Sequence, residues 1–219
     1  HLLYVTTLLR GYRLADLTVV YPIARGTGPL LSATGAVLLL GERLSLLGMA
    51  GVAGVVAGVF LIAGGPALWS QAHDPAQRER VRRGIGYGAL TGALIAGYTL
   101  IDGYAVTVLM VSPILVDWFG NLLRIPFLLP GALRDRAGLR EAWRTQWKHA
   151  LVVALFGPIG YVLVLYAMRL APLSHVAPAR EVSMLFAALI GGRLLGERDR
   201  GLRVAGALCI AAGVVSLAA

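Results

Sequence analysis

A segment of this chain occurs twice, and that repeat decides which architectures are open to it. When Gly196-Glu197-Arg198 is laid on Gly41-Glu42-Arg43, Leu194-Leu195 falls on Leu39-Leu40, Ala205-Gly206 on Ala50-Gly51, and Gly213-Val214 on Gly58-Val59. Upstream, Pro22-Ile23-Ala24-Arg25 returns one residue shorter as Pro178-Ala179-Arg180, and Arg13-Leu14-Ala15 returns as Arg169-Leu170-Ala171. Each copy reads as a long apolar helix, a tight Gly-Glu-Arg turn and a glycine-studded apolar helix. Self-similarity at a fixed spacing is the mark of a structure built from repeated units.

The class of protein follows from the apolar runs in and around those copies. They extend over about 18 to 25 residues, enough to cross a hydrocarbon layer roughly 30 Å thick as helices. Hydrophobic residues make up 58% of the chain and charged ones 14%, far from the balance of soluble domains. The 28 glycines suit helices that approach closely within a bilayer. The chain therefore reads as an all-α integral membrane protein with several spans. The net charge of +9 does not point to nucleic acid, because the arginines sit in loops between apolar runs and no basic, aromatic-interleaved surface is present. Cys209 is the single cysteine, so neither a disulfide framework nor a cysteine metal site is expected. It stands where the other copy has Gly54, as a small residue at a helix contact.

The run Tyr21-Pro22-Ile23-Ala24-Arg25-Gly26-Thr27-Gly28-Pro29-Leu30-Leu31 and the two Gly-Glu-Arg turns resemble those of EamA-type transporters of the drug/metabolite transporter superfamily. The resemblance covers nearly the whole chain apart from its polar loops. It implies ten membrane helices built as two inverted five-helix repeats, each ending in a helix–turn–helix unit. On that plan residues 1–63 are the C-terminal part of the first repeat, 64–83 a polar linker, and 84–219 the second repeat. The first repeat is then incomplete: residues 1–9 are apolar but too short to span, match the end of the 150–168 helix, and lack the features of a signal peptide. Roughly 70 N-terminal residues are expected to be missing by comparison with the second repeat. A fragment of this kind is not expected to transport by itself.

Spans are expected at 17–40, 46–63, 84–108, 113–133, 150–168, 173–195 and 202–219. The charged segment 134–149, with Trp143 and Trp147, is expected as a short surface helix whose tryptophans rest at the interface. Sorting the 20 Lys and Arg by loop puts Arg10, Arg13 and the basic residues of 78–83, 134–148 and 193–203 on one side. Only Arg43 and Arg169 fall on the other, while Arg25, Arg124 and Arg180 lie within spans. The basic side is assigned to the cytoplasm, which leaves Ala219 outside; the family resemblance would put both ends inside. Five helices per repeat make the two halves enter the membrane in opposite senses, the plan of many secondary transporters with a midplane site.

Charged groups within spans are costly and are the functional candidates. Arg25 and Arg180 occupy equivalent places in the two copies. Facing one cavity, they hold a carboxylate or phosphate by forked hydrogen bonds; alternatively, each caps carbonyls freed by Pro22 and Pro178, or snorkels. Glu181 has Gly26 as its counterpart. A carboxyl in apolar surroundings keeps its proton more readily, as proton coupling requires, so Glu181 and Asp102 are the coupling candidates. The structural alternative pairs Glu181 with Arg25 and Asp102 with Arg180. Asp117, Asn121 and Arg124 share one helix face, where Asp117 and Asn121 either contact substrate in the pathway or serve internal hydrogen bonding. His175 reads as an interfacial residue at a helix start. Glu42 and Glu197 are assigned to capping the helices that follow them. Gly54 and Gly58, like Gly88 and Gly92, are spaced for close helix packing.

The hypothetical cavity lies among the 17–40, 173–195, 84–108 and 113–133 helices. No Gly-Xaa-Ser-Gly or His-Glu-Xaa-Xaa-His element is present, and too few aspartates for a headgroup transferase, so an enzyme is not expected. Neither is a cofactor or metal. A non-transporting scaffold stays open as the alternative. The reading is a secondary transporter of small metabolites in a bacterial cytoplasmic membrane, an exporter working by alternating access with proton coupling; its partners are a small-molecule substrate and the lipid bilayer.

Overall fold

The computed structural model describes residues 1–62, 74–184 and 200–218, except for the side chains of Leu17, Thr18 and Arg203. Among the described residues every regular element is a helix: α1 Leu2–Leu14, α2 Leu17–Leu40, α3 Leu46–Ile62, α4 Pro75–Thr107, α5 Pro113–Leu122, α6 Ile125–Arg134, α7 Arg136–Leu170, α8 Leu173–Ala179 and α9 Arg200–Ala218. Three of these are long and apolar enough to cross a membrane: Val19–Leu40 within α2, α4 and α7. The shorter apolar helices Leu46–Ile62 and Val204–Ala218 accompany them. Leucines such as Leu38 and Leu39, each 75% exposed, project outward from these helices, a surface suited to hydrocarbon rather than water.

Two expected spans are broken. The 113–133 stretch is divided between α5 and α6 at Leu123–Arg124, because Pro126 has no N–H to give to the Leu122 carbonyl and its ring crowds that carbonyl. The 173–195 stretch breaks after Ala179. There Glu181 N–H donates to Pro178 O at 2.9 Å and Met184 N–H to Glu181 O at 2.8 Å, tighter i−3 bonds in place of the α pattern. Residues 185–195, and with them the second Gly-Glu-Arg turn and Glu197, lie outside the described residues.

Two expected loops are instead parts of long helices. α4 starts at Pro75, with Asp74 Oδ1 accepting the Ala76 N–H at 3.3 Å, so residues 75–83 of the stretch read as a linker are helical; 64–73 lie outside the described residues. The segment around Trp143 and Trp147 does not form a separate surface helix but continues into α7, whose start is capped by Asp135 Oδ1 on Gly138 N–H at 2.9 Å. Polar residues end a membrane span, yet nothing in their chemistry ends a helix.

The described chain forms two compact units, residues 1–101 with 171–219, and residues 102–170. In the first, α3 and α9 pack antiparallel through their glycines. A Cβ on Gly58 would stand 2.5 Å from Gly206 O, and one on Gly51 would stand 2.7 Å from Gly213 O. Gly206 and Gly213 are the repeat equivalents of Gly51 and Gly58, so each position meets the counterpart of the other. Cys209 lends its carbonyl oxygen to the same seam, 3.4 Å from where Gly54 would carry a Cβ. Gly88 and Gly92 of α4 lie against Ile23 and Thr27 of α2 in the same manner. The apolar core beside the seam comprises Ala33, Val52, Val55, Val59, Met184, Ile210 and Leu217.

The Gly-Glu-Arg turn after α2 is closed by Gly41 at φ 70°, a left-handed position that glycine adopts without steric cost. Glu42 does not cap its own following helix. Its two carboxylate oxygens accept the N–H groups of Leu173 and Ser174, both at 2.8 Å, at the start of α8. The cap of α3 is Ser45, whose Oγ accepts the Gly48 N–H at 3.0 Å. At another surface of the unit Arg80 reaches Asp16 at 3.3 Å.

The second unit contains α5, α6, α7 and the end of α4. Arg169 closes it: Nε donates to Val106 O at 3.0 Å, and Nη2 to Met110 O and Val111 O, each at 3.1 Å. One guanidinium thus satisfies three carbonyls at the α4 end, where Met110 has φ 55°.

Candidate functional site

In the first unit the equivalent arginines of the two copies come to one carboxylate. Arg25 lies on α2, whose interior prolines Pro22 and Pro29 remove backbone donors from the helix. Its Nη1 stands 3.4 and 3.5 Å from the two oxygens of Glu181. Arg180 approaches the same carboxylate with Nε at 3.8 Å. Glu181 is completely buried, whereas a third of the Arg25 side chain is exposed, so the cluster is reachable through Arg25. Burying a carboxylate costs several kcal/mol unless it is paired, and here both cations face it.

Neighbouring residues on a regular helix point about 100° apart, yet the break at Arg180–Glu181 lets both side chains contribute to one cluster. The pairing of Glu181 with Arg25 is thus present. The Arg180 Nε is buried without a hydrogen-bond acceptor, leaving donor capacity in the cluster.

Tyrosines surround these charges, and sequence reasoning did not single them out. The Arg25 Cζ lies 5.4 Å from the centroid of the Tyr21 ring, a cation–π arrangement. The Tyr98 side chain lies beside Arg180, and the Tyr4 ring is 5.6 Å from that of Tyr98. Tyr21 had a legible signal, since it stands four residues before Arg25 and shares its helix face. Tyr98 had none, because only tertiary packing brings α4 beside the end of α8, where Arg180 stands.

The other candidates belong to the second unit. Asp102 is 9% exposed and accepts the Tyr161 hydroxyl at 2.5 Å. Asn121 Nδ2 donates to Asp117 Oδ2 at 3.0 Å, and Arg124 Nη1 to Asn121 Oδ1 at 3.1 Å. The predicted stripe is therefore linked along its own face. His175, in the first unit, meets Ser174 Oγ through Nδ1 at 3.2 Å at the start of α8.

A cleft of about 360 Å³ between α2 and α3 is lined by apolar residues including Leu30, Val37, Leu44 and Met49. It contains none of the charged candidates. Among the described residues no group of His, Cys, Asp and Glu is arranged to hold a metal ion.

Comparison with known proteins agrees with the resemblance carried by the repeat. The model of the EamA-like transporter family matches residues 82–219, well over half of the chain. No curated protein and no solved structure matches it. With this match, and with apolar helices long enough to cross a bilayer, the chain belongs to the EamA-like transporter family, a family of membrane transporters of small molecules.

Proposed function

We propose that the protein is a secondary transporter of small metabolites, working as an exporter in a bacterial cytoplasmic membrane. The observation that carries this reading is the buried Glu181 carboxylate between Arg25 of one copy and Arg180 of the other. Ionisable groups within membrane spans mark substrate and ion pathways by default. A charge cluster contributed by both copies is well placed to be remade when they move relative to each other.

Alternating access is proposed between two inverted five-helix repeats of a ten-helix plan, divided as 1–63, the linker 64–83, and 84–219. The antiparallel α3–α9 seam supports it, since Gly51 meets Gly213 and Gly58 meets Gly206, the exchange that an approximate two-fold axis in the membrane plane produces. Discontinuous helices at substrate sites belong to the same plan, and α8 ends at the site. Glu181 is the proposed carrier of the coupling proton, taking it when substrate separates the carboxylate from Arg25; Asp102 is the second candidate. Asp117 and Asn121 are proposed as pathway-facing groups.

The test is cysteine accessibility. In a Cys209→Ala background, Arg25→Cys and Arg180→Cys are labelled with a membrane-impermeant thiol reagent from each side. Labelling that shifts from one side to the other on adding substrate is expected. Positions sealed from both sides under all conditions would contradict an alternating pathway through this cluster.

A further inference from the structure

The charge and hydrogen-bond capacity of the Arg25–Glu181–Arg180 cluster specify what it takes. We propose that it binds a small organic anion with a single negative charge, a monocarboxylate, held by Arg180 with its apolar body against Tyr21 and Tyr98. This inference rests on the transporter reading and narrows it to a substrate class.

Two guanidiniums face one carboxylate, itself buried, and only a third of Arg25 is exposed, so the three side chains carry one net positive charge that is largely shielded from solvent. An uncompensated charge in such surroundings is costly. A monoanion neutralises the cluster, a neutral ligand leaves the cost in place, a cation raises it, and a dianion replaces it with a charge of opposite sign. A phosphate monoester, largely dianionic at neutral pH, is disfavoured for that reason.

Glu181 leaves donor capacity unused: its contacts with Arg25 are long, at 3.4 and 3.5 Å, and Arg180 Nε at 3.8 Å is beyond hydrogen-bonding distance. That Nε is buried and has no acceptor. A guanidinium presents five N–H donors in a rigid fork, and a carboxylate is the acceptor whose two oxygens match it. A second carboxylate, brought by the ligand, fills what Glu181 does not.

Tyr21 lies by Arg25, Tyr98 lies beside Arg180, and Tyr4 adjoins Tyr98. Aromatic rings beside the charges give a ligand body an apolar contact, with phenolic hydroxyls for any polar substituent.

The experiment measures thermal unfolding of the full-length protein in nanodiscs with three probes that share a benzene ring and differ in charge: benzoate, benzamide and phthalate. A ligand that binds the folded state raises the midpoint with concentration. Benzoate is expected to stabilise most. Arg180→Gln is expected to require roughly tenfold more benzoate or worse for the same shift, from loss of charge-assisted hydrogen bonds, and Arg180→Lys to fall between.

Benzamide acting as well as benzoate, phthalate acting better, no response to benzoate, or an undiminished response in folded Arg180→Gln would each overturn the inference. The ranking of the three probes on the unaltered protein decides the matter even where a variant does not fold. Failure of the transporter reading has its own readout, the absence of metabolite-driven flux in liposomes. Flux of a neutral or cationic metabolite without benzoate binding would remove the monocarboxylate and keep the transporter.

Discussion

Arg25 and Glu181, 156 residues apart in sequence, meet at 3.4 Å in the interior of one unit. Arg25 has a counterpart in the other copy, Arg180; Glu181 has none, since Gly26 stands at its place. Two equivalent cations therefore share one carboxylate, and the asymmetry leaves an excess of positive charge in the cluster. A purely structural bridge would be better served by one cation. The surplus supports the proposal that the cluster is a site.

The first prediction concerns that pair. Glu181→Ala leaves two guanidiniums facing each other without a counter-charge and is expected to destabilise the protein by about 3 kcal/mol. Adding Arg25→Ala should recover part of the loss. A double-mutant cycle by thermal or denaturant unfolding checks this, and strictly additive effects would show that the two side chains do not interact.

A second prediction tests the glycine seam. A Cβ on Gly58 would stand 2.5 Å from Gly206 O, a backbone atom that cannot swing aside. Gly58→Ala should cost about 1–3 kcal/mol through overpacking. Gly97→Ala on α4, with open space at the Cβ position, should be neutral or slightly stabilising, since alanine is the better helix former. Equal effects at the two positions in thermal unfolding would mean that α3 and α9 are not in this close contact.

The third prediction separates Glu42 from its own helix. Because its carboxylate holds the Leu173 and Ser174 N–H groups, Glu42→Ala should cost about 1–2 kcal/mol, as loss of an N-cap does. Hydrogen exchange should rise at Leu173 and Ser174. Faster exchange confined to the start of α3 would return Glu42 to a local cap.

Much of the helical plan was legible and its interruptions were not. The limits of α2 coincide with the 17–40 span, and the close approach at Gly54, Gly58, Gly88 and Gly92 followed from their spacing. The breaks at Leu123–Arg124 and Arg180–Glu181 were hidden because hydropathy runs on across them; Pro126 and Pro178 were visible, but prolines also lie inside unbroken α2. The starts of α4 and α7 were misplaced because polarity marks the membrane boundary and not the helix boundary. The site arginines were legible as rare charges in apolar runs. The partner of Glu42 and the place of Tyr98 depend on contacts between distant segments, which no local pattern encodes.

A fourth prediction concerns Arg169, whose three carbonyl contacts are out of reach for a shorter uncharged side chain. In Arg169→Gln, hydrogen exchange across residues 108–112 should accelerate by about tenfold or more, the loss of roughly 1.5–3 kcal/mol per charge-assisted bond being only partly offset by water. Unchanged protection there would mean that the α4–α5 connection holds itself.

The most direct measurement of the central claim is metabolite-driven proton flux through the full-length protein in liposomes carrying an internal pH dye. Pooled metabolites are added to the unaltered protein, to Arg180→Ala and to Glu181→Gln. The account predicts flux with the unaltered protein and its loss in both variants. Flux undiminished in Arg180→Ala and Glu181→Gln, or no flux of any metabolite in the unaltered protein, would contradict it.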